Sequence, residues 1–331
     1  MATTTSQQPA SSGTAIPNKT GSYLRRRLVV NADDLGLSSA VNRGIMKSAE
    51  RGVVTSVSMM ANMAGWDDAL ALLHATRADI SVGLHLNIVA GRPLTYAPSI
   101  TDPTTGAFYP LAKLAIRVLS GRVKREDVSR ECIAQLTKLR TAGILVSHID
   151  SHRHVHALPG IGAAVLETAQ LLGVRVIRAP LEPLNINPGN WDATLKKIML
   201  GASWHVCHAR HAALTRYASK HASKYSPATS ASLAGIANSP EYFNHYVDHF
   251  FGISLQGGNH FAARLKKIID RLPAGTSEIM VHPGFVDAAL ASVDGYTWQR
   301  EREVDALTSP ALRHQLAHGG IELVNFGSLI A

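Results

Sequence analysis

The sequence predicts an α/β fold built on a parallel sheet with covering helices, and three observations predict it. Short apolar runs alternate with segments of helical spacing along most of the chain, nearly every apolar run stops at a cluster of polar residues, and no clear boundary divides the chain into independent domains. If such a sheet closes into a barrel, its strand ends converge on one face. The length of 331 residues suits one large domain of this class, which often runs to about 200–250 residues before insertions.

In chain order, Leu28-Val29-Val30 reads as a buried strand whose carboxyl end emerges at Asn31-Ala32-Asp33-Asp34. Gly36 permits a turn, and Ser38 or Ser39 can cap a helix running through Val41, Ile45 and Ala49. After Gly52, Val53 to Met60 reads as a strand, followed by helical spacing from Trp66 to Ala78 and a strand from Ile80 to Leu86. Arg125 to Ala142 is a predicted helix, and Ile144 to Ile149 a strand that stops at Asp150. Ile161 to Leu172 then precedes a strand from Val174 to Arg178, and a helix from Phe261 to Leu272 precedes a strand from Ser277 to Val281 that ends at His282-Pro283-Gly284. Residues 1–24, rich in Ser, Thr, Ala and Pro, offer no apolar periodicity and are expected to form a disordered tail; residues 25–331 are expected to form one domain.

With 46% hydrophobic and 17% charged residues, the chain falls in the ordinary globular class, and no apolar run approaches bilayer-spanning length. Cys132 and Cys207 belong to no Cys-x-x-Cys pair, which argues against a disulfide framework or a thiolate zinc site and suits a cytoplasmic setting. The net charge of +9 attracts anionic partners without identifying one. No nucleic-acid partner is expected, because the densest local cluster is of histidine rather than lysine or arginine.

Chemistry concentrates at the strand ends. Asp33 and Asp34 would point to opposite faces of a regular strand, but a turn at the strand end can present both to one site, one carboxylate for a cation and its neighbour as general base. Taken alone, the pair fits a helix cap beside a solvated aspartate equally well. His85, in Val82-Gly83-Leu84-His85-Leu86-Asn87, would by itself more often be a hydrogen-bonded core residue; Gly83 allows a close backbone approach there. Between Ser147 and His156 four histidines and Asp150 crowd one strand end, the strongest local signal for metal chemistry, with Asp150 able to orient a ligating ring. His282 is a candidate general acid at a sharp turn. An aspartate and two histidines with open coordination positions suit a divalent ion, and two imidazoles ordinarily favour a transition metal. The reaction class is metal-assisted hydrolysis.

Together, Val30-Asn31-Ala32-Asp33-Asp34-Leu35-Gly36, Gly83-Leu84-His85-Leu86, Asp150-Ser151-His152 and Val281-His282-Pro283-Gly284 resemble the YdjC-like carbohydrate deacetylases, which include chitooligosaccharide deacetylases and hopanoid-associated relatives. The resemblance runs from about Leu28 to the C-terminus and implies an irregular (β/α) barrel of TIM-like type. It implies that Asp34, His85 and His152 bind the metal, Asp33 is the general base and His282 lies near the leaving amine. It names magnesium, with zinc or another transition ion left open by the donor set. The implied substrate is a carbohydrate, an N-acetylglucosamine-containing oligosaccharide or a lipid-linked glycan, and a homodimer is compatible with it. Leu35 and Arg153 depart from the family pattern, at positions where phenylalanine, and histidine or glutamine, are usual.

A basic insertion at about 190–240 matches the family poorly: between Asp192 and Glu241 it holds no acid but carries Lys196, Lys197, Arg210, Arg216, Lys220 and Lys224. Two readings stay open for it, a lid or surface contact for an anionic membrane or lipid-linked substrate, and a solvated insertion with no partner. The rival functions are a metal-dependent phosphoesterase and a non-catalytic protein binding glycan or anionic lipid.

Overall fold

A computed structural model describes residues 25–184, 191–220, 247–257 and 260–330. The expected disordered tail lies outside them, as do residues 221–240 of the basic insertion.

Among the described residues, eight parallel strands form one sheet. In chain order β1 (Arg26–Leu35), β2 (Ser56–Met59), β3 (Ser81–Leu86), β4 (Val146–Ser151), β5 (Val176–Ile177), β6 (His249–Phe251), β7 (Gly275–Val281) and β8 (Ile321–Leu323) pair in the order β5-β4-β3-β2-β1-β7-β6, with β8 beside the first residues of β1. The connections carry α1 (Ser39–Glu50), α2 (Trp66–Ala75), α3 (Leu111–Leu119), α4 (Arg125–Thr141), α5 (Ile161–Leu171), α6 (Trp191–Lys220), α7 (Phe261–Asp270), α8 (Ala288–Val293), α9 (Gln299–Leu307), α10 (Pro310–His318) and α11 (Phe326–Ile330). The expected strands and helices are all present, with ends displaced by a few residues.

The sheet is curled, and one side chain demonstrates it. Arg178, immediately after edge strand β5, donates from Nε to Glu278 of β7 at 2.7 Å. In the pairing order β7 lies five strands from β5, a separation of roughly 24 Å in a flat sheet at about 4.8 Å per strand. No arginine reaches that far. The curl is a partial barrel: among the described residues β5 and β6 do not pair, so the ring stays open between them. Apolar side chains from the outer sheet face and the helices form the main core, including Leu28, Val30, Val57, Leu84, Ile149 and Ile279. The interior is polar toward the site, with Asn31, Asp33, Ser58, His148, Asp150, Arg178 and Glu278 all buried, beside a small apolar cluster of Val29, Val176 and Phe326.

Two glycines set close approaches. A Cβ on Gly83 would lie 2.3 Å from the His148 ring, so this strand glycine makes room for a buried imidazole. A Cβ on Gly44 of α1 would lie 2.4 Å from the Gly284 Cα, which seats α1 against the loop after β7. Gly284 serves this close approach without a positive φ.

The first part of the basic insertion is a helix, and its first two lysines turn inward. Lys197 is buried and pairs with Glu182 at 2.9 Å, while Lys196 reaches the cavity described below. These two residues are therefore not part of a solvated basic face. Among the described residues no helix is long and apolar enough to cross a membrane.

Candidate active site

Asp33, Asp34, His85, His152 and His282 all line one cavity of about 120 Å³. Asp34 adopts φ 73°, a left-handed conformation uncommon for a residue with a Cβ, and this kink near the end of β1 lets both carboxylates reach the cavity. His85 comes from β3, His152 follows β4, and His282 follows β7.

Three donor atoms converge beside Asp34. Its Oδ1 lies 3.1 Å from His85 Nε2 and 2.9 Å from His152 Nδ1, and one ligand atom from each residue falls within 4.8 Å of the others. His85 is oriented from behind by Asp150, whose Oδ1 lies 2.7 Å from Nδ1. The second oxygen of Asp34 accepts from Arg300 Nη2 at 2.7 Å. Burial opposes charge on Asp34, but Arg300 and His152 outweigh it and hold the carboxyl well below the usual range. Burial likewise opposes charge on His85, yet Asp150 and Asp33 push its imidazole up to about 10. Such a cluster calls for positive charge at this point, and a cation bound here would displace that proton. Two imidazole nitrogens and one carboxylate oxygen, all buried, form a set that could bind a metal ion and leave positions open.

Asp33 is held differently. Arg178 grips it with both ends of its fork, Nη1 to Oδ2 at 2.6 Å and Nη2 to Oδ1 at 2.7 Å, and Asn31 Nδ2 donates to Oδ1 at 2.8 Å. Burial raises the Asp33 pKa above the ordinary aspartate value; Arg178 opposes the rise and Asp150 adds to it. Arg178 Nη1 also lies 2.7 Å from Asp150 Oδ2. A second possible ligand group, Asp33 with His85 and Asp150, therefore already holds a guanidinium between its carboxylates.

His282 Nε2 lies 3.9 Å from Asp33 Oδ2 and 3.4 Å from Gln256 Nε2. Lys196 donates to Gln256 Oε1 at 2.6 Å, and since lysine only donates, the amide nitrogen of Gln256 is left to face His282. The His282 backbone N–H donates to Glu303 Oε2 at 2.6 Å, and Tyr296 Oη donates to Glu303 Oε1 at 2.6 Å. Burial, countered by Asp34 and reinforced by Arg300, keeps the His282 pKa well below its usual value, so the resting ring is neutral.

Of the four histidines between Ser147 and His156, His152 joins the donor cluster and His154 borders the cavity. His148 is a core residue, bonded to Ser58 and Ser147 and driven down to about 3 by burial. His156 bonds to Ser151 and to the Arg178 carbonyl. Arg153, one of the departures from the family pattern, pairs with Asp294 at 2.8 Å, and Asp294 also accepts from Arg300 at 3.0 Å. Sequence reasoning missed Arg178, Arg300, Asp294, Tyr296, Glu303 and Gln256 as site residues. Only Arg178 stood at a strand end, where the pattern could have found it.

Residues 27–318 match the family described as YdjC-like protein. A carbohydrate deacetylase of Geobacillus stearothermophilus is 30% identical over 302 residues, covering 91% of this chain and 97% of its own length. One from Mus musculus is 32% identical over 322 residues, covering 91% and 94%. A solved structure of an Enterococcus faecalis protein, a candidate for cellobiose-phosphate cleavage, aligns with a TM-score of 0.65 at 22% identity over 92% of this chain and 99% of its own, a likeness of fold.

Proposed function

The chain belongs to the YdjC-like family, and from that premise we propose that it is a metal-dependent hydrolase that removes the acetyl group of an N-acetylated amino sugar. The observation that carries this reading is the convergence of Asp34, His85 and His152 within 4.8 Å at a cavity that Asp33 and His282 also line. The relatives named carbohydrate deacetylase support the substrate class.

Asp34 Oδ1, His85 Nε2 and His152 Nδ1 would hold the ion. When bound, it supplies Lewis-acid polarisation of the acetamide carbonyl and a water of lowered pKa. The chain's own residues manage protons and position. Hydrolysis places the hydroxyl of water on the acyl carbon and a proton on the departing nitrogen, so a proton must cross the site. Asp33 is the proposed base, held in place by the Arg178 fork. His282 is the proposed acid. Its resting ring is neutral, so it must first gain a proton, and its Nε2 faces Asp33 Oδ2 at 3.9 Å, where a small movement or one water closes the path.

The family resemblance names magnesium, while two imidazoles with one carboxylate suit zinc or another transition ion better. A two-metal phosphoesterase is disfavoured, because Arg178 occupies the place of a second cation between Asp33 and Asp150.

The test is acetate release from diacetylchitobiose and a panel of N-acetylglucosaminyl conjugates, using chelated enzyme reconstituted separately with magnesium, zinc, manganese and cobalt. Release restored by metal and lost in His152→Ala is expected, with a transition ion most active. Stoichiometric metal without release from any substrate would overturn the reading.

A further inference from the structure

Helix α6 begins the basic insertion, yet the face it turns to solvent is apolar. Trp191, Leu195, Ile198, Met199 and Val206 are all exposed, Trp191 at 65% and Met199 at 62%. Their spacing puts them on one helical row, which the exposed Ala202 and Ala209 share and which Asp192 and His205 flank. From Trp191 to Val206 the row runs about 22 Å, at about 1.5 Å per residue. On the opposite side of the helix Lys197, Trp204 and Cys207 are buried. A contiguous apolar row facing water is unfavourable and marks a contact surface.

Charge selects the occupant. After Asp192 the helix holds no acid, and the same row continues at Arg216 and Lys220, so its apolar stretch gives way to basic positions. A tryptophan at one end, aliphatic residues between and basic residues at the other is the composition of a helix that lies in a membrane interface. At a net charge of +9, two copies of the chain repel each other, whereas an anionic surface attracts one. The row also lies beside the site, because Lys196, next to Leu195, lines the cavity of Asp33 and Asp34.

We infer that the outward row of α6 is a docking surface for an anionic lipid bilayer. The apolar residues from Trp191 to Val206 enter the boundary between headgroups and acyl chains, and the basic positions that follow meet acidic headgroups. This goes beyond the deacetylase reading and does not depend on it. Docking here holds the cavity next to the membrane surface.

Co-sedimentation of the full-length protein with vesicles decides it, comparing phosphatidylcholine alone with a phosphatidylcholine and phosphatidylserine mixture. Affinity for the mixed vesicles is expected to be at least about tenfold higher and to fall as salt rises. Leu195→Glu combined with Met199→Glu should weaken that binding by at least about tenfold. Both residues are exposed, so the melting temperature should stay unchanged. No binding by the wild type, equal affinity for the two vesicle types, or unchanged binding in the double variant overturns the inference. Where vesicles are not bound, a double variant that turns a dimer into a monomer by light scattering assigns the row to a second copy, and one with a lowered melting temperature assigns it to packing within the chain. Should the double variant fold poorly while the wild type binds, brominated phospholipid in the mixed vesicles decides. Tryptophan quenching that is reduced in Trp191→Phe supports the docking row, and undiminished quenching overturns it.

Discussion

Asp33 and Asp34 are consecutive, both buried and each held by an arginine, yet their surroundings drive their carboxyls in opposite directions. Asp33 faces the barrel interior, where Arg178 is shared with Asp150 and Glu278; one cation among three carboxylates leaves burial the larger influence, and the Asp33 pKa rises. Asp34 faces the loops, where Arg300 and His152 overcome burial, and its pKa falls. Neighbours split in this way can take different chemical roles, the anchored anion as ligand and the more basic carboxylate as proton acceptor.

Exchanging each carboxylate for an amide breaks this comparison most strongly. Asp34→Asn is expected to lose tightly bound metal and all measurable turnover together. Asp33→Asn should keep its metal while kcat drops by about 10²–10⁴, the range of general-base catalysis. Metal content by elemental analysis, read beside acetate release, separates the two. Full activity in Asp33→Asn would sink its role as base, and retained metal in Asp34→Asn would remove Asp34 from the ligand set.

The carboxylates and imidazoles at the strand ends were more legible in the sequence than the residues that hold them in place, for a physical reason. Asp33, Asp34, His85, His152 and His282 each sit where an apolar run ends, so strand periodicity places them on one face. Arg178 closes the predicted run Val174 to Arg178, but a strand-end arginine carries no metal-ligand signature. Arg300, Asp294 and Tyr296 come from α9 and the segment before it, where tertiary packing rather than local pattern decides direction. Lys196 was legible as part of a basic segment but not as an inward residue, because that depends on how α6 lies against the cavity. The alternation predicted a parallel sheet; that β5 and β6 do not pair among the described residues depends on contacts between distant strands.

The two arginines sharpen the comparison at smaller effect. Replacing Arg300 by lysine removes the guanidinium whose Nη2 donates to both Asp34 Oδ2 and Asp294 Oδ2. Outer partners of metal ligands typically govern about 10–100-fold in affinity or activity, and Arg300→Lys is expected to weaken metal binding within that range. Arg178→Lys loosens Asp33 instead, so its loss should fall mainly on kcat, with metal affinity changed less. A competition titration with a chelating dye measures affinity directly. Equal weakening of metal binding in both variants would mean that the interior and loop sides act as one network.

Gly83→Ala probes the interior side alone, with the smallest expected effect on catalysis. The added methyl would meet the His148 ring at 2.3–2.5 Å. That ring cannot move freely, because Ser58 and Ser147 bond to its two nitrogens and Phe326 packs against it with centroids 4.2 Å apart. Overpacking of this kind typically costs about 1–3 kcal/mol, so a lower melting temperature is expected. Ser58 also donates to Asp150, which orients His85. If the interior network is stiff, displacement of His148 should travel along this path and reduce metal affinity as well as stability. A variant with a lowered melting temperature and unchanged metal affinity would show that Asp150 holds His85 without support from His148.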